Sequence, residues 1–246
     1  MMLLLAFLVV LPQAANNEKP QAILDRAIAA MGGEEKVRKL GSCLYLSEAI
    51  LYANGQPQPT MKMRRLVRLP DSVRLEIETP GKEKSQVTVY TLHNQKGWMH
   101  QEGQYSDMND RLTQALRDDL HCLKVQYLLE AKDPRYTLQL LPRKRVEGVA
   151  AVGMSVRGEG VPDMNLYFDS ATGLLLKSEM RVRDSVLGHM IYQEIFLQDY
   201  QPLAGIPYPT RIIIYQNYSK YMEMTVKELR PQATIRDNEF IRPGGS

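Results

Sequence analysis

Apolar and polar residues alternate along most of this chain, and the period of the alternation changes along it. Over 61–69, Met61, Met63 and Val67 alternate with Lys62, Arg64 and Arg68, and Arg65 interrupts the apolar side. Val73, Leu75 and Ile77 alternate with Arg74, Glu76 and Glu78. Farther on, Leu174, Leu176, Met180 and Val182 stand against Lys177, Glu179, Arg181 and Arg183, and Met222, Met224 and Val226 against Glu223, Thr225 and Lys227. A period of two with one dry and one wet side belongs to antiparallel strands. Strand chemistry also marks 42–51, 86–92, 97–101, 136–141, 144–147, 150–157 and 163–168. The stretch 166–229 passes from strand to strand through turn-forming segments at 169–173 and 202–209, which predicts a meander at the centre of the protein.

In three places the period is helical. Pro20 suits the first position of a helix whose face carries Ala22, Ile23, Ala27, Ile28 and Met31, and Gly32-Gly33 ends it. A second short helix over 34–40 is acidic at its start and basic at its end, as the helix dipole favours. Over 107–131, Leu112, Leu116, Leu120, Leu123 and Tyr127 recur at spacings of three and four until Asp133-Pro134 stops the helix. About eleven strands with helices grouped in two places predict the α+β class, built on a single large curled antiparallel sheet. A sheet of that size twists and curls, so it has a concave face, and the helices are the elements available to cover it. The helix at 107–131 is expected to lie across that face as a lid, with Leu112, Leu116, Leu120 and Leu123 inward and an apolar cavity beneath it.

Composition narrows this picture. The 246 residues are 44% hydrophobic and 24% charged, which is globular. The net charge of +3 is spread over the strands with no basic stripe interleaved with aromatics, which argues against nucleic acid as a partner. The opening M-M-L-L-L-A-F-L-V-V-L-P-Q-A-A carries an apolar run too short for the ~20 residues of a membrane-spanning helix. It fits the core of a secretory signal with a cleavage site near Ala14 or Ala15, although no Lys or Arg precedes it; the alternative is a buried N-terminal segment. The expected division is a signal peptide at 1–15 and one domain at 16–246, placing the mature protein in the periplasm. Cys43 and Cys122 would either pair, as exported proteins permit, or remain buried thiols.

Candidate chemistry is sparse. His93, His100, His121 and His189 form no helical metal pair, and read as surface histidines. The run Gly153-Met154-Ser155-Val156-Arg157 lacks the final glycine of a nucleophile elbow and lies in a strand. No catalytic constellation, metal site or cofactor is expected. The 13 methionines stand out: Met61, Met63, Met164, Met180, Met222 and Met224 all fall on expected dry faces. Methionine adapts to differing apolar shapes, and it also fills ordinary cores. Trp98 reads equally as a cavity-rim or a core residue.

Four stretches carry a family resemblance. A-I-A-A-M-G-G-E-E-K-V-R-K-L, L-Y-F-D-S-A-T-G-L-L-L-K, Q-D-Y-Q-P-L-A-G-I-P-Y-P-T-R-I and the closing V-K-E-L-R-P-Q-A-T-I-R-D-N-E-F-I-R-P resemble the outer membrane lipoprotein-sorting protein family, of the LolA/LolB-like superfamily. The resemblance implies an unclosed β-barrel with a helical lid over an apolar cavity that takes lipid or lipoprotein acyl chains. Carriers of this superfamily use a cavity arginine as an acyl-release element, and that role is not carried over to Arg65. With the periodicity, the resemblance leads to an expected cavity lining of Met61, Met63, Val67, Leu75 and Val89 from the first strands, Trp98 at the rim, Leu112, Leu116 and Leu120 from the helix, and Met222 and Met224 from the last strand. The expected function is a non-enzymatic exported carrier or binding protein for lipid or lipoprotein acyl chains, with a membrane-side delivery partner. The alternative is an envelope sensor or interaction module that binds a partner protein, with a filled core and an exposed apolar patch.

Overall fold

A computed structural model describes residues 18–184, 188–232 and 234–243; the expected signal peptide lies outside the described residues. Two helices come first, α1 (Pro20–Ala30) and α2 (Glu34–Leu40). Seven strands follow: β1 (Ser42–Ala53), β2 (Gln56–Pro57), β3 (Met61–Arg68), β4 (Ser72–Thr79), β5 (Gln86–His93), β6 (Lys96–Gln101) and β7 (Gln104–Asp107). Helix α3 (Asp110–Gln126) leads to seven more: β8 (Thr137–Val146), β9 (Val149–Arg157), β10 (Met164–Asp169), β11 (Leu175–Arg183), β12 (Met190–Leu203), β13 (Ile206–Gln216) and β14 (Ser219–Pro231). The class is α+β, and the sheet has 14 strands rather than about eleven. The short β2 and β7 are too brief to show a period. The segments read separately at 136–141 and 144–147 are one strand, β8, with a register shift between Leu141 and Lys144.

The strand order is β7-β6-β5-β4-β3-β1-β14-β13-β12-β11-β10-β9-β8, with β2 paired to β1 alone. The chain therefore starts at the middle of the sheet, works outward to the β7 edge, and returns from the β8 edge to finish beside its own first strand. Edges β7 and β8 do not pair, so the sheet stays open. Because α3 connects one edge to the other, it must cross a face of the sheet, and it crosses the one its leucines can bury against. Asn109 caps its start, its side chain accepting the Leu112 amide at 2.9 Å. Register shifts in the β1–β14, β10–β11 and β13–β14 pairs bend strands locally and help the sheet curl.

The main core lies between the helices and the concave face. Ile23, Leu24, Ala27 and Ile28 of α1, Val37 and Leu40 of α2, and Leu116, Leu120 and Leu123 of α3 meet Val67, Val73, Met154, Leu166 and Met180 of the sheet. Leu112 packs against this cluster while remaining partly exposed. The convex face has its own cover. The segment 234–243 crosses it as a strap, burying Ile235 and Phe240 against Leu44 and Leu66. The indole N–H of Trp98 donates to the Phe240 carbonyl at 2.8 Å, His93 stacks on the Phe240 ring at 5.7 Å, and the Arg68 guanidinium lies 5.1 Å from that ring.

The register corrects several expectations. Tyr90 and Leu92 of β5 stand opposite Leu75 and Val73, on the concave face, so Val89 and Trp98 point to the convex face. Trp98 lies beneath the C-terminal strap rather than at a cavity rim. The expected phase along β11 also breaks. A register shift opposite Tyr167/Phe168 turns Leu175 inward and sends Leu176 to the convex face, where it packs with Phe196 and Tyr167. Lys177 and Glu179, expected in water, are buried. They belong to a charged cluster in which Glu179 accepts from Lys144 at 2.7 Å and Lys177 at 2.8 Å, and Lys177 also pairs with Glu194.

Candidate functional site

Under α3 the concave face is not completely filled. A cavity of about 120 Å³ remains between the helix and strands β1, β3 and β11–β14. A single ordered water needs about 10–15 Å³ by the same measure. The cavity is smaller than the several hundred Å³ of typical ligand pockets, because α3 and the methionines close in on it.

The lining changes character along the strands. Tyr45, Tyr127 and Tyr208 gather with Arg65 and Asp119, while Met63, Met224, Ile195, Leu197, Ile212 and Ile214 form an apolar stretch. The register sets this order. Tyr45 is opposite Arg65, Ser47 opposite Met63, and Ala49 opposite Met61, while on β14 Met224 is opposite Ile212 and Met222 opposite Ile214. Beyond the cavity the same face continues as an apolar shelf where Leu51, Leu75, Ile77 and Met222 pack around Ala49, Met61 and Met63.

The polar end is hydrogen-bonded across elements. Tyr127 of the segment after α3 donates its hydroxyl to Tyr45 at 2.5 Å, and Tyr45 donates to the Leu40 carbonyl at 2.9 Å. Burial raises the Tyr45 and Tyr127 hydroxyls well above the usual tyrosine range and pushes Tyr208 up to about 12. All three are neutral at physiological pH. The full charges in the lining are therefore Arg65 and Asp119, which join sheet to helix through a 2.6 Å ion pair. Cys43 and Cys122 are free thiols, and burial raises both, Cys43 to about 12. Among the described residues no group of three or more His, Cys, Asp or Glu side chains is placed to hold a metal.

Of the eleven residues expected to line a cavity, the structure places Met63 and Met224 in its wall. Met61, Leu75 and Met222 lie on the adjoining shelf. Val67, Leu116 and Leu120 are in the filled core, with Leu112 packed at its side. Val89 and Trp98 are on the opposite face of the sheet. The wall residues that periodicity did not reach come chiefly from β12 and β13, where runs such as Ile212-Ile213-Ile214 give no phase. Tyr45 went unread because Cys43-Leu44-Tyr45-Leu46 is apolar on both sides, and Tyr127 was read only as part of the α3 stripe. Arg65 did leave a signal, as the one charge on an otherwise dry side.

No protein-family model and no curated protein matches the sequence. Solved structures do match. A LolA superfamily protein from Nitrosomonas europaea is 16% identical, with a TM-score of 0.60 over 91% of this chain and 97% of that one. A protein of the DUF1329 family from Desulfovibrio piger is 13% identical, with a TM-score of 0.59 over 90% and 96%. A putative outer membrane lipoprotein-sorting protein domain from Vibrio parahaemolyticus is 14% identical, with a TM-score of 0.55 over 89% and 94%. Similarity at these identities speaks to architecture, and by its open curled sheet and crossing helices this chain has the LolA-like fold.

Proposed function

We propose that this protein is a non-enzymatic, exported carrier or binding protein for the acyl chains of lipids or lipoproteins. The observation that carries the reading is the cavity under α3, whose apolar wall runs on into the shelf around Met61 and Met222. Supporting it is the likeness of the whole chain to a LolA superfamily structure and to a putative lipoprotein-sorting domain. Each CH₂ moved out of water gains about 0.8 kcal/mol, so a C16 chain is worth on the order of 12 kcal/mol in a dry site. The resting cavity is too small for such a chain. Binding therefore displaces the flexible side chains of Met63 and Met224 and extends along the shelf, a rearrangement methionine makes at little cost. Release to a membrane or delivery partner must compensate the same free energy. The reading includes export to the periplasm through the apolar segment at 3–11, with a mature terminus near Ala15 or Asn16 that N-terminal sequencing of envelope protein would identify.

The direct test is a fluorescent acyl probe titrated into delipidated protein. Micromolar or tighter binding is expected, weakened at least about tenfold by Met224→Arg, which sets a guanidinium in the chain's path. Circular dichroism of the variant separates lost binding from lost folding. Well-folded wild-type protein that binds no probe would end the carrier reading in favour of a protein-interaction module.

A further inference from the structure

Resting on the acyl-chain reading, we infer that the cavity selects a single-chain amphiphile with an anionic head, a carboxylate or phosphate held by Arg65, and orients it head toward the tyrosines and tail toward the shelf. Three observations converge on this orientation.

The first is the placement of charge. Arg65 is on the concave face at the middle of β3, mostly buried, where every neighbouring dry position on its strand is apolar. An arginine costs far more to place there than a methionine, unless it has an anion to serve. The second is its unspent capacity. A guanidinium carries five N–H donors. Among the described residues Arg65 engages one nitrogen in a side-chain hydrogen bond, from Nη2 to Asp119 Oδ2. Asp119 is itself nearly half exposed, with 45% of its side chain open, so it can turn to water when another anion arrives. The third is the gradient of the wall. From Tyr45, opposite Arg65, to Leu51, opposite Met222, is six residues along β1, about 20 Å at ~3.3 Å per residue. Polar hydroxyls occupy the Arg65 end and aliphatic side chains the rest, which is the profile of an extended amphiphile. The tyrosines are neutral, so they make the head end polar without adding negative charge.

The exchange needs no covalent chemistry. The ligand's anion replaces Asp119 on Arg65, and the helix loses its ionic tie to the sheet as the chain enters. A lipid whose head is an uncharged ester or amide offers Arg65 only a neutral carbonyl acceptor in place of the Asp119 carboxylate and binds more weakly.

Competition for the bound fluorescent acyl probe tests this at neutral pH, with dodecanoate, dodecyl phosphate and dodecanol as competitors. In wild-type protein at least one of the two anions should displace the probe at concentrations about tenfold or more below dodecanol, since charge-assisted bonds to a guanidinium are roughly twice as strong as neutral ones. Whichever anion is stronger names the head group. Arg65→Met should erase the preference and leave dodecanol within about twofold, and Asp119→Asn should tighten the anion several-fold, because Arg65 then has no resident partner. Removing a pair that merely ties helix to sheet would ease the entry of dodecanol as much as that of the anions, so the tightening must exceed any change for dodecanol. Equal displacement by all three competitors in wild-type protein overturns the head-group inference while the carrier reading stands. A preference that survives in folded Arg65→Met also overturns it. If Arg65→Met does not fold, the wild-type preference and Asp119→Asn decide. Failure of the probe itself to bind removes both readings together.

Discussion

At the scale of single residues, charge is where the chain departs furthest from simple alternation. Arg65 is mostly buried and Glu179 buried, one facing the cavity and the other on the convex face. Burial acts to raise the Glu179 carboxyl, but Lys144 and Lys177 outweigh it and hold the group down to about 2. Its folded pKa is thus below that of an unfolded glutamate, near 4.5. The stabilisation it supplies is complete above that unfolded value and is lost as pH falls from about 4.5 toward 2. Glu179→Gln should cost about 1–3 kcal/mol at neutral pH, since it leaves the buried Lys177 with Glu194 alone and takes the carboxylate from the partly exposed Lys144. It should also flatten the acid limb of a stability–pH curve followed by urea denaturation. An unchanged acid limb would mean that other carboxylates set it. None of this was visible in the sequence, where Lys177 and Glu179 hold alternate positions that look solvated. Local pattern reports which side of a strand a residue takes, and it does not report what is packed on that side.

At the scale of elements, α3 and the C-terminal strap do the covering, and they differ in legibility. The three-and-four spacing from Leu112 to Tyr127 displayed α3 in full, because a helix that buries one stripe must repeat with its own turn. Leu120, 3% exposed, faces the core. Leu120→Asp should therefore cost several kcal/mol, or prevent folding, while Lys124→Asp on the same helix should change stability far less. Chemical denaturation of the two variants gives the comparison. The strap had no such signature, since a segment of ten residues with a single 3-10 turn has no period to show. Its anchor is Phe240, fully buried, whose carbonyl receives the N–H of Trp98, the sole tryptophan of the chain. Phe240→Ala should release the strap, red-shift Trp98 emission and lower stability by up to about 3–5 kcal/mol, the range for truncating a buried phenylalanine. Emission identical to wild type would show that the strap is not what shields the indole.

At the scale of the whole molecule, ligand binding and stability are linked. A chain seated between α3 and the sheet binds the folded state alone, so ligand at about 100 times its dissociation constant should add about 2.7 kcal/mol. For a protein of this size that is a rise in Tm of about 5–10 °C, readable by calorimetry on delipidated protein with and without dodecanoate. No rise, with probe binding confirmed, would mean that the ligand occupies a surface site rather than the core. What the sequence determined by itself is the class of the fold, its meander and its lid: these follow from periodicity, which each segment carries within its own residues. What only the tertiary structure decided is which strands share the cavity wall, which face Val89 and Trp98 take, and that Arg65, Asp119 and three tyrosines meet at one end. Those outcomes depend on strand register, on bulges that reverse the phase of a strand, and on a helix passing from one sheet edge to the other. They are relations between segments far apart in the chain, and no local pattern of apolar and polar residues encodes them.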